Sequence, residues 1–215
     1  MSASLEDPSF RILFVCTGNI CRSAFAQRLG REWLREALGE KADAFDISSA
    51  GTRAVVGSAM HPDTALALRG IGVEAGEFRA RQLIAAHPAV SDLVLTMTQS
   101  HRRHVLGLAP RALARTFTLR EAAALVDLLD ESPAEPSDDF AGRARDLVAA
   151  LADARSRRER GGDDDVPDPI NQAPEVHEYA GELIVDALLP LLRRLVGERT
   201  TASAEAAVQD ATAGG

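Results

Sequence analysis

Cysteine is scarce in this chain, and its scarcity narrows the kinds of protein the chain can be. Its 215 residues include only two cysteines, Cys16 and Cys21, so a scaffold built on several disulfides is excluded. Two cysteines this close together in a reducing compartment are more often catalytic or redox-active than structural. They do not predict a zinc site either, because two thiols without a nearby histidine supply too few ligands.

Long apolar runs and an excess of basic residues are also missing. No stretch reaches the length of a membrane span, and the first ten residues lack the basic and apolar regions of a signal peptide, so we expect a cytoplasmic protein. The net charge is -8, and arginines are interleaved with acidic residues, which disfavours a nucleic-acid partner. At 46% hydrophobic residues, the chain can bury the core of one domain.

Continuously apolar segments alternate with amphipathic ones, and this alternation predicts an α/β fold. The apolar segments are typical of parallel strands covered by helices on both faces. We therefore predict a single domain with a central, mostly parallel sheet of about four strands flanked by helices. The predicted strands lie near 10–15, 45–51 and 92–98, and the predicted helices cover 23–38, 62–70 and 174–196, with further helices starting at a Thr118–Glu121 capping box and near Ser137. On the last helix, the apolar stripe expected to be buried holds Val176, Leu183, Ala187 and Leu191.

The segment CTGNICRS, between the first strand and the first helix, carries the strongest functional signal. In parallel sheets ligands bind beyond the carboxyl ends of the strands, and a helix N-terminus offers free amides to an anion. Gly18 allows close backbone approach, Asn19 tolerates the left-handed conformation, and Arg22 matches two phosphate oxygens. Cys16 faces the same amides, so we expect a thiolate there. The segment thus predicts a phosphate-binding loop with a nucleophile at its base.

Other readings of this segment are weaker. A lone cysteine is usually a small core residue and a lone arginine a surface charge, but here both stand with a serine at one strand-to-helix junction. The common nucleotide-binding loop and the dinucleotide fingerprint do not match, since neither Gly-Lys-Ser/Thr nor Gly-x-Gly-x-x-Gly is present.

A carboxylate held rigidly over the loop would complete a phosphoryl-transfer site. Asp168 lies between Pro167 and Pro169, which stiffen the backbone around it, and this favours a role as a proton donor to the leaving group. The Pro-Asp-Pro triplet alone also fits an ordinary turn. The acidic neighbours 163–165 are expected to lie in a solvated linker.

Taken together, VCTGNICRS, SAG, HPDTALALRGIGV, RARQL, DLVLTMT and DVPDP resemble the low-molecular-weight protein tyrosine phosphatase family, over about Phe10–Leu106 and Val166–Val196. The resemblance implies that Cys16 is the nucleophile, that Arg22 binds phosphate, and that Asp168 acts as general acid and then as base. It implies loop support from Asn19, Ser23 and Ser49, and oxidative pairing of Cys16 with Cys21. The implied phosphate-binding residues are Thr17, Gly18, Asn19, Ile20, Cys21, Arg22 and Ser23.

The chain departs from the family pattern around the expected pocket. Ile170 and Asn171 replace aromatic residues that often follow the Asp-Pro pair, and Ala54 and Val55 also stand where an aromatic is common. Phe78 occupies a position where many members have a histidine. We predict a phosphatase domain over 10–197 with a helical insertion at about 111–160, an N-terminal extension over 1–9 and a disordered tail over 198–215.

The expected function is hydrolysis of phosphotyrosine in proteins through a phosphocysteine, by a protein without cofactor or metal, with no membrane or nucleic-acid partner and with a monomeric state favoured. The five histidines, at 61, 87, 101, 104 and 177, show no metal-ligand spacing, and we expect them at helix caps or on the surface.

Three other functions stay open at this stage. An arsenate reductase of the same fold could use a small thiol, although one that relays oxidation along its own cysteines needs a further thiol after Cys21, and the sequence has none. An arginine phosphatase tends to carry threonine where this loop has Ile20, which favours tyrosine. A non-catalytic phosphoprotein-binding module would not need both Cys16 and Asp168.

Overall fold

The protein is described by a computed structural model over residues 9–129, 139–158 and 162–197. The predicted tail, the predicted helix start near Ser137 and the N-terminal extension up to residue 8 lie outside these residues. None of the helices in the described ranges is long and apolar enough to cross a membrane.

A four-stranded sheet forms the centre of the fold, and every described strand pair in it is parallel. The strands are β1 (Phe10–Cys16), β2 (Phe45–Gly51), β3 (Leu93–Thr96) and β4 (Thr116–Thr118), in the order β2-β1-β3-β4. Six of the seven β1 side chains are buried, as its continuous apolar run predicted. The predicted α/β fold is confirmed, and β4 is the strand that apolar runs did not predict.

Seven α-helices are present among the described residues, and the helices predicted from periodicity are found. They are α1 (Arg22–Leu38), α2 (Pro62–Gly70), α3 (Ala86–Val90), α4 (Gln99–Leu108), α5 (Leu119–Val126), α6 (Phe140–Ala154) and α7 (Pro174–Val196). Thr118 and Glu121 form the predicted capping box, since each side chain accepts the other's backbone N–H, at 3.1 and 3.2 Å.

Helix α7 crosses the face of the molecule where α1, α2 and α5 lie, and it buries a wider face than its sequence stripe predicted. Ala187 and Leu191 are buried as expected, but Val176 and Leu183 are only half-buried. The buried face instead begins at His177 and continues through Ile184. A helix contacted by several partners buries more than one stripe, and for that reason the periodicity did not single out His177.

The range 111–160, predicted as a helical insertion, contains β4 and α5 as well as α6. All three β4 side chains are buried, and Leu119 and Leu125 of α5 join the core. The first part of the range therefore belongs to the central sheet and its covering helices. The limits of an insertion within it stay a prediction.

Strand β1 lies inside the sheet, with β2 on one side and β3 and β4 on the other. The connections that follow β1 and β2 therefore run to opposite halves of the sheet. Such a switch point opens a crevice at the carboxyl end of the strand. The segment after Cys16 lies in that crevice.

Candidate active site

The loop joining β1 to α1 curls around the sulfur of Cys16. Asn19 adopts the left-handed conformation, with φ of 56°, as its residue type allowed. Gly18 does not, and a Cβ added there would make only ordinary contacts with Ile20 and Val55. The steric need for glycine lies at Gly51 of β2, where a Cβ would be 2.5 Å from the Thr17 carbonyl oxygen. The role of Gly18 in the approach of the backbone to phosphate stays a prediction.

The Cys16 sulfur is buried, with 2% of the residue exposed, and lies next to two hydrogen-bond donors. The Asn19 backbone N–H donates to Sγ at 3.3 Å, and Ser23 Oγ lies 2.9 Å from it. Because Ser23 Oγ accepts from Asn19 Nδ2 at 2.9 Å, its own proton is available to the sulfur. The arrangement therefore stabilises negative charge on Cys16.

Asn19 is the centre of a hydrogen-bond network that fixes the loop. Its Nδ2 donates to Ser49 Oγ at 2.7 Å, and its Oδ1 accepts the Arg81 backbone N–H at 2.9 Å. Ser49 in turn donates to Gln27 Oε1 at 2.6 Å. The structure thus brings together the three residues expected to support the loop. The residues that the sequence did not single out are Gln27 and Arg81, although Arg81 lies within the RARQL motif.

Arg22 spans the site from the loop to the acid segment. Its side chain is 3% exposed; Nη1 donates to the Val166 carbonyl at 2.8 Å and Nη2 lies 2.6 Å from Asp168 Oδ2. The third nitrogen, Nε, is buried without a hydrogen-bond partner among the described residues. Since an unpartnered buried donor is costly, Nε is suited to a further acceptor, such as an oxyanion.

The segment before Asp168 is anchored at several points, although Asp163 and Asp165 are exposed to solvent as expected. The Val166 N–H donates to the Met97 carbonyl at 2.8 Å, and Asp165 Oδ1 accepts the Gln99 N–H at the start of α4, also at 2.8 Å. Asp164 pairs with Arg158 at 2.9 Å. The contacts to Met97 and Gln99 come from distant parts of the chain, so charge pattern alone could not reveal them.

His101 is a buried support of the loop. It lies in the first turn of α4 against the N-cap residue Thr98, so the expected cap position is found, but the expected surface position is not. Its Nε2 lies 2.9 Å from Thr17 Oγ1, and its Nδ1 lies 2.8 Å from Thr98 Oγ1. Burial, together with the charge of Arg22, lowers the pKa of His101 to about 4, so the ring is neutral at neutral pH. No spacing in the sequence links Thr17 to a histidine on α4.

Cys21 lies at the other end of the loop and is also buried. Its side chain hydrogen-bonds Thr64, but burial dominates and raises the pKa of the Cys21 thiol to about 11. The two cysteines of the loop therefore differ: Cys16 has donors directed at its sulfur, whereas Cys21 is held as a neutral thiol.

A pocket of about 360 Å³ opens above the loop. Cys16 and Arg22 lie at its base with Asp168 beside them, and Ile20, Val55, Ile170 and Arg53 line its sides. Positions 55 and 170 carry valine and isoleucine instead of aromatic residues, so these walls of the pocket are aliphatic.

A cysteine and an arginine six residues apart, around an anion-binding loop at the switch point of a parallel sheet, define a class of α/β proteins that bind phosphate. Within this class, the model of the family described as "Low molecular weight phosphotyrosine protein phosphatase" matches residues 11–130. The chain belongs to that family, and the family predicted from the motifs is confirmed.

Relatives of both phosphatase kinds resemble the chain. A "Protein-arginine-phosphatase" of Geobacillus stearothermophilus is 32% identical over 150 residues, which are 67% of this chain and 92% of the relative. A "Low molecular weight protein-tyrosine-phosphatase" of Streptomyces coelicolor is 30% identical over 185 residues, 86% of this chain and 92% of the relative. The solved YwlE arginine phosphatase from Geobacillus stearothermophilus aligns at a TM-score of 0.62 and 26% identity, over 86% of this chain and 92% of its own.

Proposed function

We propose that this chain hydrolyses phosphotyrosine in proteins through a phosphocysteine formed on Cys16. The observation that carries the proposal is the position of the Cys16 sulfur, buried beneath the pocket with two donors directed at it and Arg22 alongside. Donors that stabilise a thiolate and a cation that binds phosphate are what nucleophilic attack on a phosphoryl group requires.

In the first step, the Cys16 thiolate attacks phosphorus, a sulfur–phosphorus bond forms and the bond from phosphorus to the tyrosine oxygen breaks. Asp168 gives its proton to the leaving phenolate. In the second step, the Asp168 carboxylate takes a proton from a water molecule as that water attacks phosphorus. The sulfur–phosphorus bond breaks, phosphate leaves and the thiolate is restored.

Arg22 is placed to stabilise both steps. Its Nη1 is held by the Val166 carbonyl, which orients the guanidinium plane, and Nε and Nη2 form the edge that would donate to two phosphoryl oxygens. Nη2 pairs with Asp168 in this structure, so the proton donor lies within 2.6 Å of the group that would hold the phosphate.

The pocket walls favour a phenyl ring over a guanidinium group. Ile20, Val55 and Ile170 offer apolar contacts but no hydrogen-bond acceptor, and Arg53 adds positive charge at the rim. A phosphoarginine side chain is the second candidate, because the Geobacillus stearothermophilus relative named for that activity is 32% identical. A guanidinium group would need acceptors, and among the pocket side chains only Asp168 carries a carboxylate.

The test compares phosphotyrosine and phosphoarginine peptides as substrates of the wild type and of Cys16→Ser. We expect faster hydrolysis of phosphotyrosine and a loss of at least about 10³-fold in Cys16→Ser, which should still bind inorganic phosphate. Near-normal activity of that variant would contradict the phosphocysteine. Faster hydrolysis of phosphoarginine would make phosphoarginine the substrate without contradicting the phosphocysteine mechanism. Reduction of arsenate with a small thiol would instead favour an arsenate reductase. The cytoplasmic location, the monomeric state and a disulfide between the two cysteines stay predictions.

A further inference from the structure

Two histidines and an aspartate meet where the start of α2 faces the first turn of α7. His61 caps α2, Asp63 lies in its first turn, and His177 lies in the first turn of α7. Asp63 Oδ2 is 3.8 Å from His61 Nδ1 and 4.0 Å from His177 Nε2, and one ligand atom from each of the three residues lies within 4.8 Å of the others. No metal-ligand spacing in the sequence indicated this cluster, because His177 is 116 residues from His61 and both were expected at helix caps or on the surface.

His177 carries an unsatisfied nitrogen into this cluster. Its side chain is fully buried, and Nε2 has no hydrogen-bond partner in the part of the chain that the structure describes, whereas Nδ1 lies 2.7 Å from Thr64 Oγ1. Burial lowers the pKa of His177, and a weak contact with the Pro169 carbonyl partly offsets this, but that contact leaves Nε2 without a full hydrogen bond among the described residues. The separation of 4.0 Å from Asp63 is too long for a hydrogen bond whether or not Nε2 carries a proton. A buried polar atom left in this way costs stability unless a ligand satisfies it.

The second nitrogen of His177 is placed as in metal sites, and His61 presents Nδ1 to the cluster. His61 Nδ1 accepts the Asp63 backbone N–H at 3.4 Å, which keeps this nitrogen unprotonated. Thr64 can accept the Nδ1 proton of His177 and donate its own proton to Cys21, and this leaves a lone pair on Nε2. Histidines that bind metals usually donate their other N–H to such a partner. His177 Nε2 and His61 Nδ1, whose lone pair also accepts the long Asp63 N–H bond, then lie beside the Asp63 carboxylate, an arrangement that a cation would stabilise.

We propose that His61, Asp63 and His177 form a binding site for a divalent transition-metal ion, with zinc as the best match. Two imidazoles and one carboxylate suit zinc, whereas magnesium and calcium prefer oxygen ligands. A tetrahedral zinc site needs ligand atoms about 3.3 Å apart. The two rings are stacked in this structure, with centroids 4.6 Å apart and 18° between their planes, so the partly exposed His61 ring would have to rotate out of the stack to bind the ion. The site is separate from the phosphate pocket and does not rest on the proposed phosphatase function.

A bound ion would join α2 to α7 behind the loop. The His61 N–H donates to the Ile20 carbonyl at 2.8 Å, and Thr64 connects His177 to Cys21. Binding should therefore stabilise the folded chain in proportion to metal concentration.

The test uses the full chain carrying Cys16→Ser, so that the loop thiol cannot capture the metal. After removal of metal with a chelator, Co²⁺ is titrated and followed by its visible absorption, and Zn²⁺ is then added in competition. We expect one Co²⁺ per chain, visible bands of a nitrogen and oxygen site without a sulfur charge-transfer band, and displacement by Zn²⁺. A thermal scan should show a higher midpoint with Zn²⁺.

Two further variants locate the site, and one serves as a control. Asp63→Asn and His177→Gln should each weaken Zn²⁺ binding by at least about tenfold, whereas His104→Asn, at an exposed histidine on α4, should bind as the parent does. Asp63 is partly exposed, so its variant tests the site even if the buried His177 variant fails to fold. Equal binding by all variants, a sulfur charge-transfer band, or no saturable binding at about 0.1 mM metal would each overturn the proposal.

Discussion

Cys16 and Asp168 face the same pocket but are held in different ways. The Cys16 residue is 2% exposed, and the groups around its sulfur come from its own short loop and the first turn of α1. The Asp168 side chain is 40% exposed, and its described contacts are the ion pair with Arg22 and the Ile170 N–H at 3.3 Å. The segment before it is anchored to residues far away in sequence, such as Met97.

This difference teaches that the two halves of the site differ in rigidity. A nucleophile in a short loop closed by its own backbone has little conformational freedom. A half-exposed carboxylate with few contacts can change its conformation at a small cost in free energy. Arg22 contacts both halves, so its replacement should have the largest effect.

Replacement of Arg22 should disturb both the phosphate-binding loop and the position of Asp168. Arg22→Lys keeps the charge but loses the fork that holds Val166 and Asp168 and would bind two oxygens, so we expect kcat/KM to fall by about 10³-fold. Steady-state kinetics on a phosphotyrosine peptide measure this loss. Arg53→Lys, at the exposed pocket rim, is the matched control and should change activity only a few-fold. A loss of only a few-fold in Arg22→Lys as well would mean that the pocket senses charge alone.

Replacement of Asp168 should affect only the step that needs a proton donor. Asp168→Asn should slow hydrolysis of a phosphotyrosine peptide by about 10²-fold but that of an activated aryl phosphate by only about threefold, since its leaving group needs little protonation. Asp163→Asn is the control, because that side chain is 82% exposed and pairs only with Arg120 among the described residues. The same factor on both substrates would remove Asp168 as the leaving-group acid.

His101 should make stability depend on pH on the loop side of the site. Its pKa is about 4 in the folded chain against about 6.5 when unfolded, so the unfolded state takes up the proton first as pH falls. The contribution of neutral His101 to the free energy of unfolding is complete above pH 6.5 and is lost as the pH falls towards 4. Between pH 7 and pH 5 this loss is about 2 kcal/mol. Urea unfolding at both pH values should show a smaller decrease for His101→Asn than for the wild type. If the two proteins lost the same stability, His101 would not be the group that titrates; His104→Asn should match the wild type.

The smallest expected effect concerns recovery from oxidation, in which the two cysteines should have different roles. Peroxide should oxidise Cys16 first, and Cys21 can trap the product as a disulfide only through its thiolate. With a pKa of about 11 for Cys21, the trapping rate should rise about tenfold per pH unit between pH 7 and pH 9. Activity recovered with a dithiol after a fixed peroxide exposure should therefore increase with pH in the wild type and be several-fold lower in Cys21→Ser. Recovery that is the same in both proteins at every pH would exclude Cys21 from the protection.

The parts of the site that the sequence predicted are those closed by short loops. Cys16, Asn19, Arg22 and Ser23 lie within eight residues, so a strand followed by a helix N-terminus is enough to bring them together. Asn19 was expected in the left-handed region from its residue type alone, and it is there.

Residues contributed by other elements could not be found in this way. His101 reaches Thr17 across 84 positions, and Arg81 reaches Asn19 across 62. A histidine on a helix carries no mark of the partner it will meet, and the stripe predicted for α7 missed His177 because that helix packs against several neighbours at once.

By itself, the sequence determined the parallel sheet, the loop after β1 and the family, because apolar runs, caps and short motifs act through neighbours along the chain. Only the tertiary structure decided that the acidic segment before Asp168 is anchored to the start of α4, and that Gly51 must lack a side chain. It alone brought His61, Asp63 and His177 together. Those outcomes depend on which helix faces which strand, and that packing is fixed by the burial of the whole core rather than by any local segment.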